Sequence, residues 1–193
     1  MKIALFISNN LGLCIYNYLK KNNIKIDLIV WNGPSLLINM DIPFMSYNKE
    51  KVKQALVKYK IDLGITAFFK ILPKSVFTIP KYGFINMHYS LLPSYGGPSP
   101  VEWQLYYREK WTGVSIHFIT ENVDMGSIIV QEKIQIPIFN RKRIYSKLNN
   151  LGKECLLKAI QLIKSYELNV PIIDSQYKRS YYSFYNKSSI WLL

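Results

Sequence analysis

Two cysteines and two histidines in 193 residues leave little material for cross-links or metal sites. Cys14 and Cys155 lie far apart, each within an apolar, helix-like pattern, so they read as core thiols rather than as a disulfide framework. With no Cys-x-x-Cys pair and no histidine cluster, no metal is expected. Acidic residues are also scarce. Only 12 Asp+Glu stand against 25 Lys+Arg, and the net charge of +13 suits nucleic acid, an anionic membrane surface or a phosphorylated substrate without choosing among them. The basic residues are scattered, densest at Lys49, Lys51, Lys53, Lys58 and Lys60 and at Arg141-Lys142-Arg143, and no RNP-type motif or basic zipper accompanies them, so nucleic acid is not the favoured partner. Long apolar runs are missing too. The opening Ile3 to Ile7 run stops at Ser8-Asn9-Asn10, short of a signal peptide, and nothing approaches the roughly 20 residues needed to cross a bilayer; a cytoplasmic protein with no membrane partner is the expectation. What is abundant is core material: 49% hydrophobic against 19% charged residues excludes disorder as the main theme.

Along the first 90 residues, short apolar runs alternate with helix-like segments, the pattern of βαβ units feeding a parallel sheet. Lys2 to Ile7 reads as a buried strand, Ser8 to Gly12 as a polar turn, and Leu11, Ile15, Tyr18 and Leu19 as one face of a helix. Strands follow at Ile26 to Trp31, near Pro43 to Met45, at Leu63 to Thr66 and at Gly83 to Met87, with a break at Asn32-Gly33-Pro34 and a helix through Val52, Leu56 and Tyr59. The fold class is therefore α/β: an open, mostly parallel twisted sheet with helices on both faces, whose ligands bind beyond the carboxyl ends of the strands. Ser90 to Pro100 is rich in proline and glycine directly after a buried strand, which marks a binding loop. Val114 to Ile119 and Ile128 to Ile134 read as strands joined by the turn Glu121 to Gly126, and Arg141 to Ser165 as a long amphipathic helix. Residues 1–165 form one domain. Residues 166–193 are a short tyrosine-rich C-terminal extension, an extended tail or hairpin packed on the domain or on a second subunit, which leaves a homodimer open.

Alternate residues of a strand share a face, so Asn86 and His88 project together, an amide able to donate to an oxyanion beside an imidazole able to titrate near neutral pH. Asp124, in the turn between the two later strands, is the leading carboxylate partner. Singly, each is ordinary. Together they sit in longer strings: Asn86-Met87-His88, then Ser90-Leu91-Leu92-Pro93, then Thr112-Gly113-Val114-Ser115, then Asp124-Met125-Gly126. These strings, over roughly residues 60 to 135, closely resemble the 10-formyltetrahydrofolate-dependent formyltransferases. The resemblance implies the Rossmann-like formyltransferase fold, 10-formyltetrahydrofolate as formyl donor, and Asn86, His88 and Asp124 as catalytic residues, with the immediate proton acceptor, His88 or Asp124, left open. It also implies that Phe69, Lys70, Ile71 and Leu72 cradle the folate, with Thr120, Glu121 and Asp124 closing the other side.

Three acceptor classes share this motif set. Ser8 to Gly12 is a poor copy of the Gly/Ser/Asn-rich phosphate loop of the glycinamide ribonucleotide enzymes. The methionyl-tRNA enzymes carry a separate RNA-binding barrel, for which the residues after the last helix leave no room. The acceptor-loop string Ser94 to Trp103 and the Ser180 to Tyr185 aromatics look most like the nucleotide-linked amino-sugar N-formyltransferases, which would make the substrate a dTDP- or UDP-type amino sugar for lipopolysaccharide or glycan biosynthesis. Asn10, Ser90, Tyr95 and Trp103 are the expected substrate contacts. Glycinamide ribonucleotide, another small amine such as a siderophore precursor, and a non-catalytic basic binding protein are the alternatives.

Overall fold

The computed structural model describes residues 1–33, 42–136 and 140–184. In chain order the elements are β1 (Ile3–Ile7), α1 (Asn10–Lys21), β2 (Leu28–Trp31), β3 (Phe44–Ser46), α2 (Lys49–Lys58), β4 (Leu63–Ala67), α3 (Lys74–Phe77), β5 (Phe84–His88), α4 (Pro100–Tyr106), β6 (Trp111–Phe118), β7 (Ile128–Gln135) and α5 (Arg141–Tyr166), followed by a single 3-10 turn at Glu167–Asn169. The described strands form one sheet in the order β3-β2-β1-β4-β5-β6-β7. The five strands β3, β2, β1, β4 and β5 are mutually parallel, and β6 and β7 add antiparallel to that edge. The winding direction reverses at β1, which lies between β2 and β4. This is the expected open, mostly parallel α/β sheet.

Because side chains alternate across a strand, the wholly buried β1 feeds two cores at once. Ile3, Leu5 and Ile7 point to one face, where Ile15 and Leu19 of α1 and Leu148, Leu156 and Ile160 of α5 cover them. Ala4 and Phe6 point to the other, where they meet Val52 and Leu56 of α2 and Val76 of α3. On that second face the ring of Phe6 meets Phe84 and Phe69 edge-on, centroids 5.0 and 5.3 Å apart. Asparagine starts the three longest helices: Asn9, Asn48 and Asn140 each accept the backbone N–H three residues on, satisfying a donor the helix cannot.

Several details depart from the sequence expectation. The polar turn after β1 is cut short because the Asn9 cap lets the helix begin at Asn10, so Gly12 lies inside its first turn. Cys155 is buried, and burial pushes its thiol up to about 12, but Cys14 is exposed and is no core thiol. The apolar periodicity that suggested otherwise is carried by its neighbour Ile15. A further helix, α4, grows from the end of the expected binding loop, because Pro100 occupies its first turn, where a missing N–H costs nothing. Pro34 of the expected break lies outside the described residues, as does Tyr185 of the terminal aromatics. The described part of the extension packs on the domain as an extended strap: Ile173 donates to Ile128 O at 2.7 Å, and Tyr181 bridges Gly96 in parallel fashion.

Candidate active site

The antiparallel register of β5 and β6 sets Asn86 opposite His117, and alternation along β5 puts Asn86 and His88 on one face, that of the buried Phe84. The hydrogen bonds fix both histidine tautomers and the amide. His117 Nδ1 lies 2.9 Å from the Phe118 carbonyl and must carry the proton, so its Nε2 accepts from Asn86 Nδ2 at 3.2 Å. Asn86 Oδ1 is thereby turned to the Thr66 hydroxyl, which donates at 2.8 Å. Among the described residues, the second N–H of the amide has no partner. His88 is held the opposite way round: its Nε2 donates to the Tyr95 carbonyl at 2.8 Å, and its Nδ1 faces Asp124 Oδ2 at 3.6 Å.

Asp124 comes from the loop between β6 and β7 with a left-handed backbone, φ +53°, a conformation Asp adopts more readily than most side chains. Its Oδ2 accepts the Gly97 N–H at 2.8 Å, and its Oδ1 lies 3.4 Å from His117 Nε2. Burial alone would raise this carboxyl, but the positive charge that the facing imidazoles of His88 and His117 can carry at acid pH, where the carboxyl titrates, and the Gly97 amide together outweigh it and hold the group at about 2. Burial dominates at His88, whose imidazole is pushed below its ordinary value even though Asp124 and the Tyr95 carbonyl pull it back. At neutral pH the site therefore holds a fixed carboxylate facing a neutral imidazole whose basic atom is Nδ1.

These side chains line a cleft of about 870 Å³, within the range of small-molecule sites. One wall runs from Phe68 to Leu72, with Ile71 exposed at the rim (72%); the opposite wall is Ile119, Thr120, Val123 and Asp124. Of the expected folate contacts, Phe69, Lys70, Ile71, Leu72 and Thr120 reach the cleft, although the Phe69 ring is largely spent on Phe6 and Tyr47. Glu121 does not; it pairs with Lys74 at 2.6 Å. The expected substrate contacts fare worse. Asn10 is an exposed first residue of α1, and Ser90 is fully buried with its hydroxyl given to Ser94 O. Tyr95 gives its hydroxyl to Glu109, and Trp103 gives its indole N–H to Ser183 O. None of these four lines the cleft. Its lining includes instead Pro98, Glu102, Arg141, Tyr145, Tyr181 and Phe184. Thr66 and His117 were not singled out from sequence, and only the strand register reveals them.

An open α/β sheet carrying an Asn, a His and an Asp around one cleft defines a class of protein with acid/base and oxyanion-binding capacity. Residues 1–160 match the formyl transferase family, and the chain belongs to that family. Among its relatives, the methionyl-tRNA formyltransferase of Syntrophus aciditrophicus is 41% identical over 116 residues, 59% of this chain and 37% of the relative. That of Clostridioides difficile is 33% identical over 159 residues, 79% of this chain and 51% of the relative. The chain thus spans about a third to a half of the length of the curated relatives it matches. In fold, it is similar to the phosphoribosylglycinamide formyltransferase of Anaplasma phagocytophilum, with a TM-score of 0.79 at 22% identity over 95% of this chain and 98% of that one. A formyltetrahydrofolate deformylase of Pseudomonas syringae gives a TM-score of 0.76 at 20% identity over 86% and 62%.

Proposed function

We propose that the protein is an N-formyltransferase that moves a formyl group from 10-formyltetrahydrofolate, a consumed co-substrate, to the amine of a nucleotide-linked amino sugar. The observation that carries the transfer chemistry is the Asn86, His88 and Asp124 cluster opening into one cleft. The cleft also suits the donor: an aliphatic rim at Ile71 and apolar Met87 and Val123 among its lining, in a volume of about 870 Å³. When bound there, the donor supplies the formyl carbon. The unspent Asn86 N–H donates to the oxygen of that carbon as the acceptor amine attacks and negative charge develops. His88 Nδ1 takes up the proton released by the amine, and Asp124, already ionised, stabilises the imidazolium that results. Returning the proton to the departing folate nitrogen breaks the old carbon–nitrogen bond and resets the site.

The amino-sugar acceptor is supported by the lining of the cleft, which includes the aromatic side chains of Tyr181 and Phe184 and the Arg141 side chain, whose guanidinium pairs with Glu102 at 2.8 Å. A planar or sugar ring bearing phosphate matches that lining. A second reading, methionyl-tRNA, is favoured by the identity to the relatives above. Mass spectrometry separates them: the protein and 10-formyltetrahydrofolate are incubated with a panel of nucleotide-linked amino sugars, glycinamide ribonucleotide and methionyl-tRNA, beside a His88→Ala control. A 28 Da gain, the mass of CO, on one sugar and absent in the control is the expected result. Transfer confined to the tRNA or the ribonucleotide overturns the acceptor, and silence on all of them overturns the transferase reading.

A further inference from the structure

The loop after β5 contributes to the site through its backbone. The Tyr95 carbonyl receives His88 Nε2–H, and the Gly97 amide holds Asp124 Oδ2. A loop of this kind, rich in proline and glycine and followed by Ser99 at φ +60°, has no regular ladder of its own to fix those two groups. The extension provides one. Ser180 N–H donates to Pro93 O at 3.0 Å, Gly96 N–H to Ser180 O at 2.9 Å, and Tyr182 N–H to Gly96 O at 3.0 Å, a short parallel ladder along the loop. The Ser180 hydroxyl oxygen accepts Tyr95 N–H at 2.9 Å, and so engages the residue whose carbonyl holds His88. Upstream, Ser175 Oγ donates to Leu92 O at 2.6 Å.

Side chains lock the ladder in place. The Tyr182 ring stacks on Tyr95, centroids 5.3 Å apart and 19° from parallel, and on Trp103, 5.0 Å and 26°. The indole N–H of Trp103 donates to Ser183 O at 2.8 Å. Gly97 records how close the strap comes: a Cβ there would lie 2.2 Å from Tyr182 O, and its φ of +94° is one that other residues rarely adopt. The strap lies beyond residues 1–160 that match the family.

We propose that Ser180 and Tyr182 are positioning residues for the catalytic pair: docked along the Ser94 to Gly97 loop, they fix the Tyr95 carbonyl and the Gly97 amide that orient His88 and Asp124. The proposal rests on reading His88 and Asp124 as catalytic, and its first readout needs no substrate, so the two fail separately. The chain has only two histidines, and their neutral tautomers are opposite, His88 protonated at Nε2 and His117 at Nδ1. Long-range proton–nitrogen NMR of the imidazoles in the 193-residue chain distinguishes them directly. Besides the Tyr95 carbonyl, the charged or titratable groups facing His88 are Asp124 and His117, and Glu109 reaches Tyr95 only through its hydroxyl.

In Ser180→Ala and in Tyr182→Ala, His88 is expected to become a mixture of tautomers, while His117, tied to Phe118 O, keeps its Nδ1–H form. Tyr182→Phe keeps the stacking ring and restores the single His88 tautomer. In the transfer assay the two disruptive variants lose roughly 3- to 10-fold in kcat, the scale of one neutral hydrogen bond, with the donor KM unchanged. Should Tyr182→Ala fail to fold, Trp103→Phe serves in its place, since it leaves a ring in the stack and removes the indole N–H held by Ser183. An unchanged His88 spectrum in the folded variants overturns the proposal, and so does an equal disturbance of both histidines, which would mark a general loosening. Transfer silence of the unmodified protein sinks the catalytic reading while leaving the imidazole result standing.

Discussion

Replacing Asp124 by Asn tests the electrostatics of the site with little change of shape. The variant keeps an oxygen for the Gly97 N–H, and Asn tolerates the left-handed backbone at φ +53° as well as Asp does. What it loses is the charge that His88 and His117 face. The Asp124 carboxyl sits at about 2 against an ordinary 3.8. At 1.36 kcal/mol per unit, that gap amounts to about 2 kcal/mol of folding stability linked to ionisation. Because the folded value is depressed, this contribution is fully present above pH 3.8 and is lost as the pH falls toward about 2. Urea unfolding of both proteins between pH 2 and 5 should therefore give curves that converge near pH 2 and separate by about 2 kcal/mol at pH 4. In parallel, removing the group that stabilises the imidazolium should lower kcat by roughly 10² to 10⁴. Parallel stability curves across that window would refute the argument that His88, His117 and Gly97 hold the carboxylate, whatever the activity does.

Other consequences are open to measurement. Asn86→Ala removes the oxyanion donor and should cost about 2.7 to 4 kcal/mol in kcat, roughly 10² to 10³-fold, with donor KM little changed. Thr66→Val leaves Asn86 Oδ1 without its donor, and a smaller fall in kcat with a Tm lower by a few degrees should follow. The acid limb of the kcat/KM profile should report His88 and lie below the ordinary imidazole value of 6.5, because burial lowers that group and the neutral form is the active one; a limb above 6.5 would count against it. Ile71→Asp puts a charge on the exposed rim and should raise donor KM while leaving Tm within a degree or two, as isothermal titration with a folate analogue would show.

The sequence by itself determined the class of sheet, the two-sided core and the strand that carries Asn86 and His88, because those depend on period-2 and period-3.6 patterns within single elements. It also marked Asp124, through a string of residues whose order along the chain is unbroken. Tertiary structure decided the rest. Opposition across β5 and β6 joins Asn86 to His117, a pair 31 residues apart, and no local pattern encodes an antiparallel register between strands. Tyr95, Trp103 and Ser90 sit in the right loop, but the direction of a side chain there depends on what packs behind it. The strap and Glu109 draw the two aromatics away from the cleft, and Ser94 O takes the Ser90 hydroxyl. Cys14 faces water for a related reason, since α1 presents Ile15 rather than its neighbour to the sheet. Contacts made between distant segments are what assign a polar residue in a loop to a site or to a scaffold, and a one-dimensional string carries the residue types without those contacts.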